Sequence, residues 1–216
     1  MMKKLVLLIA ILAISVPASA NLHTNGDFEM GDLTGWLEWG APWGGPYVRE
    51  VVTDPVKEGT FALHLGASNG SFGVAQQIPT VPGVEYTISG WWMVPVGSAH
   101  WAEVLFLNDD GRSPLEQMDG PLNSSIILKV DGWGMNGQTF SAWEPYDAGT
   151  RWYPSGPFST TLTATGDSIW VGLKSGASGG NVQSYFDDVS VTAVPEPCTM
   201  LALAAGLSAL AIRRRK

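Results

Sequence analysis

The sequence predicts an all-β fold, a jelly-roll β-sandwich, from two observations. Apolar residues alternate with polar ones in short runs, and Gly, Pro, Asn and Asp separate these runs. No stretch of a dozen residues shows an apolar stripe of helical period. Half-buried strands have a period of two, and eight or more short strands with turns between them are typical of a sandwich or jelly roll.

The clearest predicted strand covers residues 84–94, where alternation places Tyr86, Ile88 and Trp92 on the core face. Eight further runs have the same pattern. They cover residues 47–53, 60–66, 72–78, 101–108, 125–130, 158–165, 168–174 and 184–194. Glycines and tryptophans interrupt the alternation between residues 109 and 157, so we expect a loop-rich insertion with some strand content there.

The amino-terminal segment has the three parts of a secretory signal peptide. Lys3 and Lys4 precede an apolar run over residues 5–14, and a small-residue stretch ends at Ala20. The apolar run is about half as long as the roughly 20 residues that a membrane-spanning helix requires. We therefore expect a signal peptidase to remove residues 1–20. A buried amino-terminal core helix is the alternative.

Residues 21–194 remain as one domain, which is large enough for a substantial core. This domain contains six basic and nineteen acidic residues, a formal charge of −13. Because such a surface repels phosphate backbones, we expect no nucleic-acid partner. The single cysteine, Cys198, lies outside the domain, so the domain contains no internal disulfide.

Residues 195–216 form a tail with three parts. Pro195-Glu196-Pro197 is followed by an apolar run over residues 200–212 and by four basic residues at 213–216. A helix of that run is about 20 Å long, short of the roughly 30 Å hydrocarbon core of a membrane. Basic residues stay on the cytoplasmic side, which would leave the domain outside the inner membrane.

This tail resembles the PEP-CTERM sorting signal of Gram-negative bacteria that make exopolysaccharide. The resemblance implies recognition and processing near Pro195, Glu196 and Pro197 by an exosortase, a membrane cysteine transpeptidase. The chain would then occupy the inner membrane only transiently and end at the cell surface or in the extracellular matrix. A permanent single-span anchor, through the short apolar helix, is the alternative.

A second resemblance rests on three segments of the domain. They are Asn25-Gly26-Asp27-Phe28-Glu29, Lys57-Glu58-Gly59-Thr60-Phe61 and Phe186-Asp187-Asp188-Val189. Together these segments resemble those of carbohydrate-binding modules of families 4, 9 and 22, which have a galactose-binding-like jelly-roll fold. The resemblance extends over residues 21–194 and weakens between residues 109 and 157.

The resemblance also implies a structural calcium ion. Its ligands would be the side chains of Glu29, Glu58 and Asp187 and the backbone carbonyls of Asp27 and Phe61. Carboxylates and carbonyls supply the six to eight hard oxygen ligands that calcium takes. In the alternative, the acidic residues of the first segment merely follow a strand, and the aspartate of the last one caps a turn.

Sugar binding depends on different residues. Pyranose rings stack on flat aromatic faces, and alternation places Trp91 and Trp170 on the non-core sides of their strands. The two rings are therefore a predicted platform for a polysaccharide or an exopolysaccharide matrix. Alternatively, the insertion between residues 109 and 157 folds over them and buries them.

Catalysis has little support in the sequence. The three histidines, His23, His64 and His100, have no metal-ligand spacing, and no nucleophile motif is present in the domain. As neighbours in a strand, Asp187 and Asp188 are expected to point to opposite faces. We expect a non-catalytic polysaccharide-binding protein. The alternatives are a structural matrix protein that binds no sugar and, third, a polysaccharide-active enzyme.

Overall fold

Two antiparallel five-stranded sheets make up the computed structural model, which describes residues 20–93, 101–119, 125–131, 158–180 and 182–195. The elements are β1 (Leu37–Gly40), β2 (Tyr47–Val52), β3 (Ala62–Ala67), β4 (Gly70–Pro79), β5 (Glu85–Met93), β6 (Trp101–Asn108), α1 (Pro114–Asp119), β7 (Ser125–Asp131), β8 (Phe158–Thr163), β9 (Ser168–Ala177) and β10 (Val182–Ala193). The first sheet has the order β1-β4-β9-β6-β7, and the second has the order β2-β3-β10-β5-β8.

The main core fills the space between the two sheets. Residues that alternate along each strand supply it, as the period of two predicts. In β5 these residues are Tyr86, Ile88 and Trp92, and in β9 they include Ile169 and Val171. The predicted all-β jelly-roll class is therefore confirmed, and each predicted strand is present with ends that differ by a few residues.

Two elements were not predicted, and both are short. The strand β1 has four residues, which is too few to show a period of two. The helix α1 has six residues and begins with a capping box, in which Glu116 Oε2 accepts from Ser113 N at 3.1 Å. In return, Glu116 N donates to Ser113 Oγ at 3.4 Å. The region expected to be a loop-rich insertion thus contains this helix and β7.

A second, smaller core lies on the outer face of the first sheet. There Met118 and Leu115 of α1 pack with Trp39 of β1 and Trp170 of β9. Small residues of the sheet make room for the helix: a Cβ at Gly172 would lie 2.4 Å from the Met118 sulfur. The helix therefore covers part of a face that alternation alone would assign to solvent.

The two ends of the described chain meet beside β10. Leu22 N donates to Val191 O at 2.8 Å, and Asn21 Oδ1 accepts from Val191 N at 3.0 Å. Val194 N donates to Glu85 O at 2.7 Å. The predicted signal peptide before Ala20 and the tail beyond Pro195, including Glu196 and Pro197, lie outside the described residues. Within the described ranges, no helix has the length and apolarity needed to traverse a bilayer.

Candidate functional site

Two segments far apart in sequence meet β10 and form with it an acidic edge, defined here as Asp27, Glu29, Glu58, Asp187 and Asp188. The amino-terminal segment lies directly against β10, because Val189 N donates to Gly26 O at 2.9 Å. Only glycine fits at this contact, since a Cβ at Gly26 would lie 2.0 Å from Val189 O. This close contact with β10 therefore requires a glycine at position 26, directly before Asp27.

The carboxylate of Glu29 holds the loop between β2 and β3. Its Oε1 accepts from Thr60 N at 2.8 Å and from Phe61 N at 2.9 Å. Gly59 has a φ of 68°, and a Cβ there would lie 2.2 Å from Glu29 Oε1. The Lys57-Glu58-Gly59-Thr60-Phe61 motif therefore wraps around one acidic side chain.

Asp187 binds the same loop through two other backbone amides. Its side chain is fully buried, and Oδ2 accepts from Lys57 N at 2.9 Å and from Glu58 N at 3.3 Å. Oδ1 accepts from Asp188 N at 2.7 Å. Burial raises the pKa of Asp187 to about 6, against the opposite effect of these three amide donors. The buried carboxylate is thus a cross-link between the last strand and the β2–β3 loop.

A β-bulge in β10 follows Asp187 and includes Asp188. Register shifts between Asp187 and Ser190, and Asp188 has a φ of 51°. Asp187 is fully buried and Asp188 is partly exposed, so the expectation that the two carboxylates point to opposite faces stays a prediction. Burial raises the pKa of Asp188, and repulsion from Glu58, Asp27 and Glu29 adds to the effect. Asp188 belongs to the acidic edge, although the resemblance did not assign it.

The acidic edge contains carboxylate oxygens, which are donors that calcium prefers, and a cation would offset the repulsion among them. The carboxylates of Glu29 and Asp187 both accept hydrogen bonds from the β2–β3 loop, whereas the carboxylate of Glu58 is exposed and lies 3.0 Å from Lys57 Nζ. In the described part of the chain, however, no three acidic, histidine or cysteine side chains converge as metal ligands. Calcium at these residues stays a prediction.

The predicted platform of Trp91 and Trp170 does not form. Trp91 lies in β5 of the second sheet, whereas Trp170 lies in β9 of the first. Trp170 lies on the outer side of its strand, as alternation predicted, and Trp91 is partly buried and also packs against the main core. The outer faces of the two sheets point in opposite directions, so one polysaccharide chain cannot stack on both rings.

The surroundings of the two rings also differ. Trp170 is 5% exposed, because it packs in the second core beneath α1. For this residue, burial under the insertion was the correct alternative. Trp91 is half-buried, and Lys57 Nζ lies 4.3 Å from the centroid of its ring. Of the two tryptophans, only Trp91 therefore lies on a partly open face.

A groove of about 420 Å³ lies on that same outer face of the second sheet, at the end where β2 begins and β3 ends. We name it the loop-end groove. It is lined by Pro46, Val48, His64, Gly66, Ala67, Ser68, Gly180 and Gln183. Its walls are mainly apolar, with a few polar side chains, a composition typical of small-ligand sites.

His64 is the best-fixed polar group of the loop-end groove. Its Nδ1 lies 2.9 Å from Glu50 Oε1, and its Nε2 lies 2.5 Å from Gln183 Oε1. The imidazole stacks on Tyr185, with ring centroids 4.8 Å apart. Sequence reasoning missed this cluster because Gln183 lies 119 positions after His64, and only strand pairing brings them together. Alternation could have placed His64 on the outer face, between Leu63 and Leu65.

Comparison with protein families identifies the tail. A family described as the PEP-CTERM protein-sorting motif matches residues 193–216. The match confirms the predicted sorting signal and indicates export and sorting to the cell surface by an exosortase. No protein with a curated description matches the chain.

Solved structures resemble the domain over most of its length. TmCBM61, solved in complex with β-1,4-galactotriose, is 16% identical, with 82% of this chain and 100% of that chain covered and a TM-score of 0.52. The CBM22-1 xylan-binding domain of Xyn10C from Paenibacillus barcinonensis is 14% identical, with coverages of 83% and 97% and a TM-score of 0.50. The Stig cyclase Fisc from Fischerella sp. TAU is 15% identical, with coverages of 82% and 98% and a TM-score of 0.50. At these identities the likeness establishes the shared jelly-roll fold.

Proposed function

We propose that this chain is an exported surface or matrix protein whose domain binds polysaccharide without catalysis and is stabilised by calcium. The sorting motif places it among proteins sent to the cell surface. The fold, which is shared with carbohydrate-binding modules, supports sugar binding. Fold alone does not assign a function. The site that supports the proposal must therefore come from the residues themselves.

The loop-end groove is the observation that carries the proposal. Sugar recognition needs an apolar surface for the ring faces and fixed polar groups for the hydroxyls. Val48 and Ala67 supply the first, and Gln183 supplies the second. Because both nitrogens of His64 already have hydrogen-bond partners, His64 acts by positioning Gln183 for binding. This engagement also favours a positioning role for His64 over proton transfer.

Calcium would act at the acidic edge and not in the groove. The side chains of Glu29, Glu58 and Asp187, with the carbonyls of Asp27 and Phe61, would hold the ion. Bound there, calcium would supply positive charge that offsets the repulsion among the carboxylates. These residues join the amino-terminal segment, the β2–β3 loop and the last strand, so the role we propose for calcium is structural.

The burial of Trp170 favours a second candidate function, a structural surface or matrix protein that binds no sugar. A large aromatic residue that could have served as an exposed platform instead stabilises the second core. On this alternative, the outer faces of the sheets only pack against neighbouring matrix components. Polysaccharide binding distinguishes the two candidates directly.

The test is a polysaccharide array probed with residues 21–194, with and without EGTA. We expect retention on at least one polysaccharide, and about tenfold weaker binding for His64→Ala, which corresponds to about 1.4 kcal/mol. Thr161→Ala is the matched control, since Thr161 is exposed on β8, at the other edge of the same sheet. Failure of the wild-type domain to bind any polysaccharide would favour the structural alternative.

A further inference from the structure

Trp43 is an exposed aromatic residue on a firmly held loop. Its side chain is 54% exposed, between β1 and β2. Ala41 N donates to Ser71 O at 2.8 Å, and Gly45 N donates to Asn69 O at 3.0 Å, on either side of it. A flat apolar ring that is open to solvent and held on a fixed backbone is suited to stacking.

The loop of Trp43 also forms part of the loop-end groove. Pro46, three residues later, lines the groove, and Ser68 of the neighbouring β3–β4 turn lines it as well. The two loops are packed closely, since a Cβ at Gly44 would lie 2.4 Å from the Gly70 Cα. Trp43 therefore lies at the same end of the sandwich as the groove.

The sorting motif leaves the domain at the opposite end. Strand β10 begins at the groove with Val182 and Gln183 and ends at Ala193, where the motif starts. Ten residues of strand separate Gln183 from Ala193, a distance of about 33 Å at 3.3 Å per residue. The groove thus lies at the end of the sandwich farthest from the tail.

The charge of the domain restricts the ligand. With a formal charge of −13 over residues 21–194, and Glu50 next to His64, the domain repels polyanions. A polymer of uronic or sulfated sugars would meet this repulsion along its whole length, whereas a neutral polysaccharide would not. The charge distribution therefore favours neutral sugars.

We infer that Trp43 and the loop-end groove together bind a neutral polysaccharide at the end of the domain that points away from the sorted tail. This inference rests on the proposed function and specifies its ligand class and its direction. Trp43 supplies an open ring face, and Gln183, which is held by His64, supplies a polar contact. The polysaccharide would thus bind at the end of the domain opposite Ala193, where the sorting motif begins.

The test compares full-length wild type with Trp43→Ala, both in mild detergent, by isothermal titration with a neutral galactan, a neutral xylan and a polyuronate. We expect binding of a neutral polymer, about tenfold weaker binding by Trp43→Ala, and no tighter binding of the polyuronate. Val81→Ala is the matched control, because Val81 is 59% exposed and lies near Val84 and Glu85 at the tail end.

Oxidative footprinting of the wild-type chain supplies a second measurement. The bound neutral polymer should protect Trp43 from oxidation. If the wild type binds a neutral polymer while Trp43→Ala binds equally well and Trp43 stays unprotected, the inference is overturned and the proposed function stands. Tighter binding of the polyuronate would overturn the neutral class. If the wild type binds no polymer at all, both fail.

Discussion

His23 lies against Trp36, with ring centroids 5.1 Å apart, and it is 8% exposed. Among the described residues, neither of its ring nitrogens has a hydrogen-bond partner. Burial lowers the pKa of His23 to about 3, because a charged imidazole would lose its hydration without compensation. This residue therefore makes the folded state sensitive to acid.

We expect His23 to reduce stability as the pH falls from about 6.5 towards 3. In that range the unfolded chain binds a proton that the folded chain does not, so the stability is fully present only above pH 6.5. The expected loss between pH 7 and pH 5 is about 2 kcal/mol. His23→Phe, which has no titratable ring, should lose this dependence. Urea unfolding at the two pH values measures it.

The informative quantity is the difference between wild type and His23→Phe in the pH dependence of the unfolding free energy. Burial raises the pKa of Asp187, so this residue contributes a dependence of the opposite sign in part of the same range. His64→Gln is the control, because it removes a histidine but leaves His23 in place. Equal slopes in His23→Phe and the wild type would show that His23 is not buried as the structure places it.

Asp109 shows how a residue with no predicted role can be well connected. Its carboxylate accepts hydrogen bonds from Gln77 at 2.6 Å and from Ser168 at 2.8 Å. It also accepts from Gly111 N at 2.9 Å. Gln77 lies in β4 and Ser168 in β9, and the pairing of these two strands brings their side chains together. A substitution of Asp109 would therefore destabilise the fold itself, so it cannot serve as a control for substitutions of other carboxylates.

The short helix α1 changes the outer face of the first sheet. Six residues cover Trp170 and Trp39 and convert part of an outer sheet face into a second core. So short a helix has little intrinsic stability, and its capping box and the packing of Met118 must maintain it. The stability of the second core should then depend on the cap.

Ser113→Ala should destabilise the domain by about 1 kcal/mol, because it removes the cap hydroxyl at the first turn of α1. Guanidinium unfolding measures the change. Ser159→Ala, at an exposed position of β8, is the control, and we expect almost no effect there. If Ser113→Ala behaves like this control, the helix does not depend on its cap.

Sequence alone could predict the strands but not these additions. Alternation along nine runs predicted nine strands, because burial on one face leaves a period of two in the sequence. Four residues of β1 and six of α1 are too short for any period, although Ser113-Pro114-Leu115-Glu116 contains a readable helix start. The bulge at Asp188 and the pairing of His64 with Gln183 are set by cross-strand register, which no single segment encodes.

For the whole molecule, the acidic edge is the main junction between distant parts of the chain. It joins the amino-terminal segment, the β2–β3 loop and β10 through Glu29 and Asp187. The three motifs on which the resemblance rests are the ones that these hydrogen bonds join. The charge that accumulates there, with Asp188 added, makes the domain's stability a candidate for control by a cation.

Calcium should raise the melting temperature of residues 21–194 by roughly 5–10 °C when free calcium is a hundredfold above its Kd. Selective binding to the folded state contributes about 2.7 kcal/mol under that condition. Glu29→Gln or Asp187→Asn should abolish most of the increase. Asp167→Asn is the control, since Asp167 is exposed in the turn before β9 and far from these carboxylates in sequence. Equal melting temperatures in EGTA and in millimolar calcium would exclude the ion.

The central place of β10 in the second sheet has a consequence for the order of events during export. The strand lies between β3 and β5, so the two halves of this sheet have no hydrogen-bonded connection until it is inserted. A chain delivered amino end first therefore carries exposed strand edges until its last strand has crossed. The sorting motif begins at residue 193, where that strand ends. Completion of the fold and arrival of the sorting signal are thus coupled in time, and a chain stalled before this point would expose unpaired edges to its neighbours.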